Sequence, residues 1–194
     1  MLPNAITTFL LCFVVGFVSS RPAVPVSDAS VGSAKSHISE IANALSGEWS
    51  IEFTISPSEV LPKGGSGHGE EVWKTGPGRL SLIEEYRSVG DDGDNTGLGT
   101  FWWDEKSHRF QVLWCANDAP SGCDVLSHGA VWQDNSLVLT HRWQAGAKHY
   151  ELREVFSQIT PISFTQTIYR AELPGAPSID YVFHAKRKTG SHHW

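Results

Sequence analysis

Basic charge is scarce in this chain. Lys and Arg number 15 against 21 Asp and Glu, a formal net charge of −6. No run of like charge is long enough to act as an interaction tail. The balance argues against nucleic acid as a partner, because phosphate binding needs clustered Lys and Arg. Cysteine is also scarce, three in 194 residues. No Cys-x-x-Cys pair occurs, which removes a zinc ribbon or thioredoxin-like motif. The nine histidines are scattered, with no His-x-x-x-His, and His192 and His193 in the polar tail suit only adventitious metal binding. No Gly-x-Ser-x-Gly marks a nucleophile. Lys63-Gly64-Gly65-Ser66-Gly67 lacks the Gly-Lys-Ser/Thr ending of a phosphate cradle and reads as a mobile loop. Asp92-x-Asp94-x-Thr96-Gly97 begins like a calcium loop, but its twelfth position is Trp103, so it reads as a solvated turn. Neither a metal nor a cofactor is expected.

What is present is apolar patterning: 40% of residues are hydrophobic and 11% aromatic, enough for a sizeable core. Ala5 to Val18 is mostly apolar and uncharged, with small residues before Arg21. It is shorter than the ~20 residues of a spanning helix, so residues 1–20 are expected to be a cleaved signal peptide rather than an anchor. The protein is then secreted or extracytoplasmic, with no membrane contact after cleavage. Residues 21–32, with Pro22 and Pro25, are expected to be a flexible leader. A domain should span 33–187, followed by a polar tail at 188–194.

In that domain Ile38, Ile41, Ala42 and Leu45 recur at helical spacing, with Ser36 a candidate N-cap and Gly47 a candidate stop. Trp49, Ile51, Phe53 and Ile55 then alternate with Glu48, Ser50, Glu52 and Thr54, a strand with one apolar face. Further strand-like runs follow at Gly69–Lys74, Leu80–Val89, Leu98–Trp103, Arg109–Trp114, Asp124–Trp132, Leu137–Trp143, Lys148–Phe156, Ser163–Leu173 and Ile179–Lys186, joined by short turns. Short connections favour antiparallel neighbours. A meander of about ten strands removes both free edges by closing its first strand on its last. The expected fold class is therefore all-β: a closed antiparallel up-and-down barrel with one short N-terminal helix, preferred to a two-sheet sandwich. Cys115 and Cys123 flank a turn-rich loop and, in an exported protein, are expected to form a disulfide stapling a hairpin.

Leu45-Ser46-Gly47-Glu48-Trp49 resembles the Gly-x-Trp signature of lipocalins and other calycin-like barrels. With Gly99-Thr100-Phe101-Trp102-Trp103-Asp104, Gly129 and the Gln133-Asp134-Asn135 turn, the layout from Ile38 to Lys186 resembles an uncharacterised domain-of-unknown-function family of calycin-like barrels, akin to lipocalins and nitrobindins. The resemblance implies a structural role for Gly47 and Trp49, with Arg187 in the place of the late lipocalin Arg that packs over that tryptophan. Ser50 to Ile55 lacks the glycine pattern of the haem-binding nitrobindins, so haem is not implied.

Polar residues on apolar strand faces are the informative ones, since burying them unpaired is costly. Glu84 shares a face with Leu80, Leu82 and Tyr86; His141 with Leu137, Leu139 and Trp143; Gln166 with Phe164 and Ile168. If these faces line the barrel, Glu84, His141 and Gln166 join Tyr86, Trp114, Trp143 and Tyr181 around a cavity for a small apolar ligand. A Glu84–His141 acid–base pair in an isomerase or hydrolase is the alternative, requiring the two within hydrogen-bond reach; no catalytic residue is assigned. A third possibility is an interaction module with a filled interior and an exposed aromatic patch drawn from Trp73, Trp102 or Trp103.

Overall fold

A computed structural model describes residues 28–119 and 121–189. The segment 1–20 expected to be a signal peptide, residues 21–27 of the expected leader, Pro120 and residues 190–194 lie outside the described residues. Helix α1 (Asp28–Leu45) is followed by strands β1 (Gly47–Ile55), β2 (Gly65–Thr75), β3 (Ser81–Gly90), β4 (Gly93–Asp104), β5 (Arg109–Ala116), β6 (Cys123–Val125), β7 (Ala130–Gln133), β8 (Ser136–Ala145), β9 (Lys148–Ser157), β10 (Ser163–Leu173) and β11 (Ser178–Arg187). Ten strands close into an antiparallel barrel, and β6 adds a short ribbon on β5. The closing seam joins the first strand to the last, with Trp49 opposite Arg187, Phe53 opposite Phe183 and Ile55 opposite Tyr181.

Period-two alternation decides what fills the interior. The even-numbered residues of β1 are exposed or half-exposed, while Trp49, Ile51, Phe53 and Ile55 are buried. Near the helix, Trp73, Phe101, Phe110, Leu137, Phe156 and Phe164 complete a packed layer. Its rings meet edge-on or tilted, as Trp49 on Phe164 (4.8 Å, 68°) and Trp73 on Phe156 (5.5 Å, 90°). Helix α1 closes this end, with Ile38, Ile41 and Leu45 fully buried; burial of each contributes roughly 1.5–3 kcal/mol. His37 stacks on Trp103 at 3.6 Å, extending the seal to β4.

The structure corrects several expectations. The helix begins at Asp28, so Ser36 lies within it rather than at its cap: no proline interrupts Asp28 to Ser36, the single Gly32 is tolerated, and the apolar stripe marks only the packed part. The expected loop at Gly65–Gly67 belongs to β2 and pairs with Phe53 to Ile55 of β1, since glycines without side chains carry no alternation to reveal a strand. Gly93 to Gly97 likewise belong to β4, leaving Asp91-Asp92 as the turn. The expected strand Asp124–Trp132 is broken into β6 and β7 by a turn ending in Gly129, whose φ is +60°. Leu80 sits in the turn before β3 and is 40% exposed. Trp73 is buried at 2% exposure, and Trp102 and Trp103 are half-buried, so no exposed aromatic platform forms from these three.

Candidate functional site

The closed end rests on the short motif that opens β1. Trp49 Nε1 donates to the Leu45 carbonyl at 2.8 Å, and Arg187 Nη1 donates to the Ser46 carbonyl at 2.6 Å. Both satisfy carbonyls that the helix end leaves without intrahelical partners, and the guanidinium suits the negative end of the helix dipole. The Arg187 guanidinium also covers the Trp49 ring at 4.1 Å. Burial lowers the Arg187 pKa. Gly47 makes the approach possible: its φ is +138°, and a Cβ there would lie 2.0 Å from Arg187 Nη1.

Above the aromatic layer the interior turns polar. β2 brings Glu71 inward, β3 Glu84, β9 Glu154 and β10 Gln166. Glu71 and Glu84 are 0% and 3% exposed, whereas Glu154 keeps part of its surface open to the cavity. Glu71 Oε2 accepts from Trp73 Nε1 at 3.0 Å, and Glu154 Oε1 accepts a short hydrogen bond from Gln166 Nε2. Glu71 Oε1 and Gln166 Oε1 are buried without a hydrogen-bond partner. Burial pushes the Glu71 carboxyl up to about 7, against the Trp73 N–H and with the Glu154 charge adding. Burial likewise pushes Glu154 up to about 7, against the Gln166 amide. Glu84 is raised well above the ordinary carboxylate range, first by burial and then by the charges of Glu71 and Glu154.

Glu84, Glu154 and Gln166 form the floor of a cavity of about 300 Å³ at the end opposite the helix, with Glu71 buried outside its lining. Its walls carry Tyr86, Trp114, Leu139, Ile168, Tyr181 and Phe183. Tyr181 stacks on Phe183 at 5.8 Å and 15°, and Tyr86 meets Trp114 at 6.4 Å. Turns and strand ends set Asp92, Asp118, Asp124, Asp180, Arg170 and His141 around it. Tyr181 Oη donates to Asp92 Oδ2 at 3.0 Å, Tyr86 Oη donates to Ser88 Oγ at 2.8 Å, and Arg170 Nη2 lies 2.7 Å from Asp180 Oδ2. Burial raises the pKa of both Tyr86 and Tyr181. The Cys115–Cys123 disulfide ties β5 to β6 at the mouth, beside the facing pair Trp114 and Asp124.

Of the residues expected to line a cavity, Glu84, Tyr86, Trp114, His141, Gln166 and Tyr181 all do. Trp143 does not. It stands beyond the cavity on the β8–β9 hairpin, stacked between His141 (5.6 Å) and Tyr150 (5.3 Å), because these strands overhang the barrel and their last inward positions face a rim. His141 is half-buried; burial lowers its pKa, Asp124 opposes this, and His128 adds to it. Its Nδ1 accepts from the Ser127 backbone N–H at 3.3 Å. Among the described residues no hydrogen bond joins His141 to Glu84. The alternation pattern of β2 and β9 left Glu71, Glu154 and the mouth aspartates unnoticed, although Glu71 stands two residues before Trp73, where period two places it inward.

No protein-family model matches the chain, and no curated protein matches it. Among solved structures, the S-type phycobiliprotein lyase CPES of Guillardia theta shares 11% identity at a TM-score of 0.51, with 86% of this chain and 100% of the lyase covered. A redesigned β-barrel, mFAP0, bound to DFHBI is similar at 12% identity and a TM-score of 0.40, covering 74% of this chain and 99% of the design. At such identities the likeness to the lyase shows the fold and transfers no chemistry.

Proposed function

We propose that this is an exported protein that binds a small molecule in the open end of its barrel. The single observation carrying this reading is the floor of the cavity. Gln166 Oε1 is a buried acceptor without a partner, and the Glu84 carboxyl makes no hydrogen bond among the described residues, beneath aromatic walls. Buried polar groups are ordinarily satisfied, so a floor left open under a formed cavity is what a ligand with complementary groups would complete. The calycin-like kinship suggested by the opening motif is supported by Arg187 over Trp49, and the extracytoplasmic location by the disulfide. Among the described residues no helix is long and apolar enough to cross a membrane.

Native mass spectrometry of the protein purified from its exporting host tests this. A retained small molecule, released on denaturation and lost when the cavity is filled by a Leu139→Trp substitution, is the expected result. A mass equal to the bare chain, together with no thermal shift across a diverse small-molecule panel, would overturn it.

A further inference from the structure

The charge around the cavity runs one way. Glu84 and Glu154 lie at the floor, and Asp92, Asp118, Asp124 and Asp180 lie around the mouth. Arg170, the guanidinium among the described lining residues, is already paired with Asp180 at 2.7 Å. His141 is held toward its neutral form by burial. Among the described residues, the cavity-facing group left without a hydrogen bond at the floor is the Glu84 carboxyl; behind it Gln166 Oε1 is a buried acceptor without a partner, its amide nitrogen being spent on Glu154. Tyr181 Oη and Tyr86 Oη point their protons at Asp92 and Ser88. The cavity thus offers acceptors, negative charge and aromatic faces, and few donors.

From this geometry we infer that the ligand is an organic cation: a protonated amine whose N–H groups meet Glu84 and Glu154 and whose body lies against Trp114, Tyr86 and Tyr181. This rests on the small-molecule reading above and names its chemical class. An ammonium group carries three donors and no acceptor, the complement of this floor, and aromatic faces attract cations through their quadrupole. A carboxylate or phosphate ligand would meet repulsion at the mouth, and at the floor no donor other than carboxyls that must stay protonated to receive it. A bare metal ion fits less well, since among the described residues no three His, Cys, Asp or Glu side chains are arranged to hold one.

Binding is then linked to protons. In the empty cavity burial favours protonated carboxyls at Glu84 and Glu154. A cation beside them favours their ionised forms, so its arrival releases protons and its affinity rises with pH. The facing groups on other elements keep this sign. Asp124 on β6, with Asp92 and Asp118 in the loops, adds negative charge, Asp180 on β11 and Arg170 on β10 offset each other as an ion pair, and His141 on β8 loses any residual charge as pH rises.

The test is isothermal titration calorimetry of the full chain, disulfide intact, with matched probes: phenethylamine and tryptamine, their N-acetyl derivatives, and 3-phenylpropionic and indole-3-propionic acids. Each amine is expected to bind at least tenfold more tightly than its N-acetyl partner, and the acids most weakly. Amine affinity should rise at least threefold from pH 5.5 to 7.5. A Glu84→Gln/Glu154→Gln double variant should shrink the amine preference below threefold. Asp118→Asn, at an exposed loop where folding is not at stake, should lower amine affinity a few-fold. Equal or tighter binding of the neutral or acidic partners would overturn the cationic assignment while leaving small-molecule binding intact. Binding of none of the six would overturn both.

Discussion

Arg187 lies over Trp49 with its guanidinium carbon 4.1 Å from the ring centre, while Nη1 holds the Ser46 carbonyl and Nε the Pro161 carbonyl, each at 2.6 Å. The last residue of the last strand therefore locks the helix end, the first strand and the loop before β10. Arg187→Ala should cost about 2–3 kcal/mol, combining a cation–π contact with charge-assisted hydrogen bonds. Arg187→Lys should recover less than half, because an ammonium cannot lie flat on the ring and bond two divergent carbonyls. Urea denaturation measures both; a loss below about 0.5 kcal/mol for the alanine variant would contradict the locking role, being no more than an ordinary surface substitution.

Gly47→Ala should be coupled to that loss. The added methyl meets Arg187 Nη1 at 2.0 Å, and the backbone there sits at φ +138°, a region that costs other residues about 1–3 kcal/mol. In a double-mutant cycle with Arg187→Ala, the steric part vanishes and only the backbone strain remains. The double variant should therefore be more stable than the sum of the single losses by about 1 kcal/mol. Strict additivity would show that the guanidinium moves aside freely.

Stability should fall as pH rises through neutrality. Between the unfolded carboxylate value of about 4.3 and folded values of about 7 for Glu71 and Glu154, the native chain binds more protons than the unfolded chain. The unfolding free energy then decreases with pH. The contribution is full below about pH 4.3 and is lost as pH climbs past the folded pKa values. Glu84, raised well above its ordinary range, acts in the same direction. Thermal melts at pH 5.5 and 8.5 should show the lower midpoint at 8.5. Glu84→Gln should raise stability at pH 8.5 by about 1–3 kcal/mol, as expected for removing a poorly compensated buried charge, and change little at pH 5.5. A midpoint that rises with pH in the parent but not in Glu84→Gln would reverse the sign.

Opening the disulfide should loosen the mouth more than the barrel. Cys115 and Cys123 are eight residues apart, and a loop of that size gives about 2–3 kcal/mol at most. A Cys115→Ser/Cys123→Ser variant should stay folded, with faster amide hydrogen exchange confined largely to β6 and its loop. Global unfolding at room temperature would show that the ribbon is integral to the barrel.

Gly97→Ala should injure the cavity. A methyl there would lie 2.4 Å from the Trp114 ring, so the indole must swing away from the β4 wall. Overpacking of this kind costs about 1–3 kcal/mol, and ligand affinity should drop at least tenfold as the ring is displaced. Unchanged affinity with the same stability loss would place Trp114 outside the binding surface.

Much of this architecture was legible in the chain. The alternation from Trp49 to Ile55 identifies β1 and its buried face, and the regular turns from Thr75 onward imply antiparallel neighbours. Alternation survives in sequence because side-chain direction in a strand depends only on position. It fails where the side chain is missing, as at Gly65–Gly67, and where an extended run is interrupted by a turn, as between Val125 and Ala130. The cavity wall followed the same rule, which found Glu84, Tyr86, Trp114, His141, Gln166 and Tyr181 and erred at Trp143 by assuming that every inward position reaches the interior.

The sequence by itself determined the class of the fold, the motif that seals one end and which polar residues turn inward, because each depends on short-range spacing. Only the tertiary structure decided that Glu84 and Glu154, far apart along the chain, share one desolvated floor with Glu71 buried near them, and that aspartates from loops and strand ends ring the mouth. Their pKa values, and with them the chemistry a ligand must bring, arise from distances across the barrel. Those distances are set by how the sheet closes, which no local pattern encodes.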